Sequence, residues 1–350
     1  MTHPVHHNGW RGGWYSELFG SPLRGAASVL LIALIGWAIW SMGAWALAHA
    51  VFRPDAAACR AAHGACWGMI AEKWRPILFG RYPYAQQWRA TLALALWIAM
   101  LLASAWPRLW RPALALAWGL ALALFMLLMH GGLLGLEAVP ISRWGGLPLT
   151  VSLAVISLAL AFPLAVLLAL ARRSRWPIMR SLAATTIEIV RGVPLISVLF
   201  MASFLLPLLW PAHWQPDALL RVLAGLTLFV AAYFAEIIRG GLQAVPREQI
   251  EAALALGLDR WQVQRHVVLP QALRMVLPAL MNSVIGTLKD TSLVTVVGLF
   301  ELTGALGLAL GGDPLWRPFY LEGYLFIALV YWLMCFGLSR YGAWIERRLT

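Results

Sequence analysis

VPREQIEAALALGLDRWQVQRHVVLPQ, residues 245–271, is the longest amphipathic, charge-rich stretch in a chain that is otherwise mostly apolar. It reads as two short helices with a turn between them. Pro246 suits a first helical turn, where its missing N–H costs little. Ile250, Ala253, Leu254 and Leu258 recur at helical spacing. Gly257 supplies the stop, because glycine enters the left-handed conformation that ends a helix. Asp259 is placed to cap a second helix through His266, and Pro270 marks the next change of course. Set between two hydrophobic blocks, such a pair would lie at a membrane interface and turn a polar face to something soluble.

The rest of the chain supplies that membrane. Of its 350 residues 61% are hydrophobic and only 12% charged, against about 25% charged in a soluble domain. A mean hydropathy of +0.74 fits lipid contact. The net charge of +12 is read as basic residues on short loops that hold the cytoplasmic face, since no basic groove or nucleic-acid motif is visible. Nucleic acid is therefore excluded as a partner, and the lipid bilayer takes its place.

Eight apolar blocks follow in order: about 26–51, 90–106, 113–134, 149–171, 196–210 with a backward extension through Arg191, 219–238, 277–302 and 324–338. A span needs about 20 such residues, so an all-α polytopic membrane protein of about eight spans is expected. Ala48, His49 and Ala50 offer a cleavage-like pattern, but the first apolar run is too long and starts too late for a signal peptide. A retained span is expected there, after a polar tail at 1–25 that holds His3, His6 and His7. Pro163 is a candidate kink in the fourth span.

An even number of spans puts both termini on one side. If that side is cytoplasmic, it also receives Arg108 and Arg111, the cluster Arg172, Arg173, Arg175 and Arg180, the stretch 245–271, and Arg340, Arg347 and Arg348. That matches the positive-inside rule. The loop 52–88 is exported in this arrangement, although it carries several basic residues. Its Cys59 and Cys66 could then form a disulfide; two free cysteines are the alternative.

Two further patterns stand out. Glu188-Ile-Val-Arg191-Gly192 nearly repeats as Glu236-Ile-Ile-Arg239-Gly240. In each copy Glu and Arg are three apart and can meet on one helix side. The pairs are either a hinge around the amphipathic stretch or neutral helix ends. Lys289 and Asp290 stand in the seventh apolar block, where ionisable groups are costly. They mark either a pathway or gate, or a break near one interface with Lys289 snorkelling. No P-loop, HExxH or GxSxG is present, and Asp290 with Ser292 lacks a histidine to complete a triad. An energy source must therefore be an ion gradient or another polypeptide, for which 245–271 is the candidate dock. A gradient-driven carrier, or a membrane sensor recruiting a cytoplasmic protein, would use the same blocks.

Glu251-Ala252-Ala253, Gly257, Leu269 and Pro270 resemble the EAA loop of inner-membrane permease subunits in bacterial ABC importers. AYFAEIIRGGLQAVPREQIEAALALGL, LPQALRMVLPALMN and KDTSLVTVVGLFEL are similar to the polar amino-acid branch. The 52–89 stretch looks like the exported loop of the M subunit of the general L-amino-acid transporters. The resemblance implies a type I importer permease core at 145–348, preceded by three additional spans within 26–144. It also implies a second permease subunit, a cytoplasmic ABC ATPase dimer and a periplasmic amino-acid-binding protein as partners, in a bacterial inner membrane. The chain itself would be non-catalytic and hold no cofactor, with ATP and Mg on the partner ATPase.

Overall fold

Lipid offers no hydrogen bonds to bare backbone, so a chain that crosses it must satisfy its own amides. The computed structural model describes residues 18–349 except Trp210 and residues 212–215. His3, His6 and His7 lie outside the described residues. Those described form helices, with only two isolated β-bridges. Seven helices are long and apolar enough to cross a bilayer, and a bent pair makes eight. The protein is an all-α, multi-pass membrane protein.

Two compact units divide the chain, Met1–Glu72 and Lys73–Thr350. In the first, α1 (Pro22–Ala48) is apolar along its length and none of its residues is buried. It is followed by α2 (Ala56–Ala61), whose first amides at Ala57 and Ala58 are accepted by the Asp55 carboxylate. Cys59 and Cys66 are joined in a disulfide, so the alternative of two free thiols falls away. Trp67 Nε1 donates to Ala46 O at 2.7 Å, tying this loop to the end of α1.

α3 (Gly68–Phe79) runs across the division. In the larger unit, α4 (Tyr84–Ser104) and α5 (Pro112–His130) pair as a hairpin. Trp97 fills its core, with ring centroids 5.7 Å from Trp118 and 5.2 Å from Phe125. Arg89, wholly buried, donates to Leu128 O and Glu137 O, both at 2.8 Å. It thereby satisfies a carbonyl in the last turn of α5 that has no intrahelical donor.

The remainder comprises α6 (Gly146–Arg172), α7 (Pro177–Gly192), α8 (Leu195–Leu209), α9 (Ala218–Ala244), α10 (Arg247–Ala255), α11 (Arg260–Val297), α12 (Leu302–Gly311) and α13 (Arg317–Arg348). Pro163 sits inside α6 without ending it. α9 is the central member. It is 61% buried over its apolar window, against at most 33% for any other span, and it packs on α6, α7 and α11. At Gly241 the α9 and α11 backbones approach so closely that a Cβ would stand 2.7 Å from Ala272 O.

Four expectations from the sequence need correcting. The fifth block does not extend straight back through Arg191. α7 and α8 meet at 108°, because Pro194 pushes Val193 into extended backbone (φ −105°, ψ 135°). The seventh block does not begin at 277 or end at 302. Its helix already starts at Arg260 and stops at Val297, before Gly298 turns left-handed at φ +84°. The second helix of the 245–271 stretch therefore neither ends at His266 nor changes course at Pro270, and it is the first part of α11. Pro246 also stands one residue ahead of α10 rather than inside its first turn.

Replacing Gly241 by alanine should lower stability by about 1–3 kcal/mol, the usual cost of overpacking a filled contact. The readout is a fall in Tm of the detergent-solubilised protein; an unchanged Tm would mean that α9 and α11 part without cost.

Candidate functional site

α10 ends as its residues dictate. Gly257 takes φ +82°, its N–H donates to Leu254 O at 2.9 Å, and Leu258 N–H donates to Ala253 O at 3.3 Å. This is a Schellman close, with the apolar pair Leu258 and Ala253 beneath it. Two residues on, Asp259 accepts from Trp261 N and Gln262 N, while Gln262 Oε1 accepts from Asp259 N. That capping box starts α11. Ala253, Val263 and Val268 are buried, and Ile250, Leu258, Val267 and Leu269 pack beside them. The opposite face carries exposed Glu251, Ala252, Leu254, Leu256 and Trp261. Pro270 is exposed near the start of the α-helical part of α11. The stretch is thus a rigid helix–turn–helix, fixed from below, with a free face that mixes charged side chains, Glu248 and Glu251 among them, with large apolar ones.

Beside it the two Glu-x-x-Arg copies come together, but not each within itself. Glu236 and Arg239 do pair along α9, through two hydrogen bonds. Glu188 turns instead to Arg172 at the end of α6, at 2.7 Å. The second Nη of Arg172 reaches Glu236 at 3.2 Å, and Arg191 approaches the same carboxylate at 3.8 Å while lying over the Tyr233 ring. The expected Glu188–Arg191 contact is replaced because Arg172 arrives from a neighbouring helix with a fork that spans both glutamates. Five side chains from α6, α7 and α9 form one cluster.

α11 passes through Lys289 and Asp290 without a break, tightening into 3-10 geometry from Thr291 to Val297. Lys289 is exposed and Asp290 half-buried, and no ion pair joins them among the described residues. Lys289 lines a cleft of about 430 Å³ with Ser292, Thr303, Tyr324 and Tyr331. Behind that cleft lies Glu301, fully buried. Its Oε1 accepts from Thr303 N (2.8 Å), Gly304 N (3.1 Å) and Thr295 Oγ1 (3.0 Å). Its Oε2 accepts from Tyr331 OH (2.8 Å) and Thr150 Oγ1 (3.3 Å).

Glu301 and Arg172 carry roles that sequence reasoning missed. Arg172 was legible only as one of four clustered arginines. Glu301 caps α12, yet glutamate is not among the residues that advertise an N-cap; its one signal was a lone carboxylate just after an apolar run. Among the described residues no group of three or more His, Cys, Asp or Glu could hold a metal.

Residues 147–350 match the family described as binding-protein-dependent transport system inner membrane component. The chain belongs to that family, and is a transmembrane permease subunit rather than an enzyme. It is 43% identical to the inner membrane amino-acid ABC transporter permease protein YhdY of Escherichia coli (strain K12), over 92% of this chain and 89% of that one. It is 36% identical to the glutamate/glutamine/aspartate/asparagine transport system permease protein BztC of Rhodobacter capsulatus, over 96% and 93%. The crystal structure of an amino acid ABC transporter with histidines superposes with a TM-score of 0.50 at 31% identity, covering 57% of this chain and 90% of that one. The fold is that of a type I ABC importer permease.

Replacing Glu301 by alanine strands buried donors and should cost about 3 kcal/mol. Glutamine, whose amide oxygen still accepts at the α12 amides, should cost about half of that. Thermal unfolding in detergent reads both, and equal Tm values for wild type and alanine variant would remove Glu301 from its structural role.

Proposed function

We propose that the chain is one permease subunit of an ATP-driven L-amino-acid importer, closest in kind to the M subunit of the general L-amino-acid transporters. The observation that carries the reading is the likeness to two amino-acid permeases along nearly the whole chain, whereas the matched solved permease corresponds to little more than half of it. On this reading residues 1–25 are a cytoplasmic tail, 26–144 an accessory region with an exported loop at 52–88, and 145–348 the permease core. The protein sits in a bacterial inner membrane with both termini cytoplasmic. It works with a second permease subunit, an ABC ATPase dimer and a periplasmic amino-acid-binding protein. ATP and Mg are bound by the ATPase.

The free face of residues 245–271 is the ATPase dock. Leu254, Leu256 and Trp261 form the apolar part of a contact and Glu251 its charged part, a mix typical of interface centres. Ala252 and Ala253 keep the helix slim, while Gly257, Leu269 and Pro270 fix its exit into α11. The Glu188, Arg191, Glu236 and Arg239 cluster anchors the α7 and α9 ends next to the dock. Lys289, and Asp290 beside it, belong to the pathway side, where the cleft with Tyr324 and Tyr331 offers one cation to an anionic group of the cargo.

Gly257→Val forces a branched side chain into the left-handed region and should cut binding-protein-dependent uptake at least about tenfold, with insertion retained, since strain of about 1–3 kcal/mol would displace the dock. Uptake of mixed L-amino acids into proteoliposomes, with co-purification of the ATPase, is the measurement. Normal uptake by the variant would overturn the coupling role, and a wild-type complex whose ATPase ignores the binding protein would overturn the importer reading.

A further inference from the structure

At the end of the core opposite the Arg172–Glu236 cluster, a stretch outside the family-matched residues closes on residues within them. Lys73 Nζ on α3 pairs with Asp313 Oδ2 at 2.7 Å, both side chains being partly shielded. The Lys73 ammonium holds the Asp313 carboxyl below the usual carboxylate range. Just beyond α3, Gly80 takes φ +60° and lies so near the head of α6 that a Cβ would stand 2.8 Å from Gly145 Cα. Gly146, at φ +62°, passes Leu78 so closely that its own Cβ would stand 2.2 Å from the carbonyl oxygen. Gly146 N–H also donates to Phe300 O at 2.9 Å. Glu301 follows at once and caps α12, which leads to Gly311 and on to Asp313.

These contacts form a closed ring: α3, Asp313, α12, the Phe300–Glu301 turn, the head of α6, Gly80, and back to α3. Only glycine allows the two backbone crossings, because left-handed φ and sub-3 Å approach both exclude a side chain. The matched family residues begin at 147, so α3 and Gly80 are additions laid over the family core.

We infer that residues 73–82 act as a clamp on this end of the core, one that must give way before the head of α6 and residues 300–313, which Glu301 and Thr150 hold together, can shift as one block. The inference rests on the importer reading, in which the end opposite the dock is the one that opens to receive cargo. The clamp is built to yield. One of its closures is a single partly shielded ion pair and another is a van der Waals crossing without a hydrogen bond, so each is weak enough to break in every cycle. Its effect is to bias a two-state equilibrium toward the form closed at this end, and so to hold ATP hydrolysis down until a binding protein offsets the bias.

The test is ATP hydrolysis by the assembled complex in proteoliposomes without binding protein. Lys73→Gln and Asp313→Asn each remove one charge, and Asn keeps the acceptor that Leu315 N uses at 3.0 Å. Each single variant should raise this basal rate by about threefold, the scale on which a weak ion pair shifts such an equilibrium. Because both remove the same bond, the double variant should rise no further than either single one. Lys73→Arg, which keeps the pair, should stay at the wild-type rate and shows that assembly tolerates change at this position. Single variants at the wild-type rate, or a double variant with the product of the two effects, would overturn the clamp while the wild type still answers its binding protein. A wild type that does not answer overturns both the clamp and the importer reading.

Discussion

A carboxylate with no exposed surface is costly in any fold, and Glu301 is such a group. It is affordable because five donors converge on it, all of them neutral. Two are amides of α12, one is a hydroxyl at the end of α11, one is on α6 and one is on α13. None of those elements can satisfy the carboxylate alone. The desolvation cost is therefore recovered only when α6, α11, α12 and α13 are all in place, which makes one side chain a condition for assembling four helices. Thr150 adds a second tie, since its Oγ1 also accepts from Leu302 N at 3.0 Å.

α6 is fastened differently at its other end. There the contacts are between full charges, with Arg172 gripping Glu188 and Glu236. A helix of 27 residues is about 40 Å long, enough to cross the roughly 30 Å hydrocarbon layer. One element thus joins a hydroxyl-bound carboxylate at one end to a partly exposed ion cluster at the other. The chemistry suits each place. A buried anion surrounded by short hydroxyls and amides keeps fixed geometry, whereas half-exposed arginines can exchange partners among two glutamates at little cost. Rearrangement is easier at the Arg172 end than at the Glu301 end.

How far this was legible differs by element. Span existence follows from bilayer thickness, so runs such as 113–134 and 149–171 lie within a few residues of α5 and α6. Gly257 and Asp259 were readable because their roles are local, set by φ and by amides two or three residues away. Glu301, Arg89 and the Lys73–Asp313 pair were not. Beside a few local contacts, the partners that join them to other elements lie 30 to 240 residues distant, and no periodicity marks them. The Glu-x-x-Arg copies were half legible: spacing placed Glu236 and Arg239 on one helix side, but could not show Arg172 arriving from α6 to take Glu188.

Pro270 shows why local signals can mislead even when read correctly. A proline lacks the N–H that a helix donates four residues back, and its ring crowds the carbonyl there. A stop was the natural expectation. The chain avoids one by widening the preceding turn: Leu269 N–H donates to Gln264 O, five residues back, and Val263–Val268 is a π-helical stretch. The wider turn relieves the crowding between the ring and the carbonyls before it. α11 then continues from the capping box at Asp259 through to Val297 as one helix. A second proline, Pro278, lies further along it, so the face of residues 245–271 and Lys289 share one helix with a proline between them. On the proposed docking role, movement of that face would act along α11 toward Lys289 and toward Thr295, whose hydroxyl is held by Glu301.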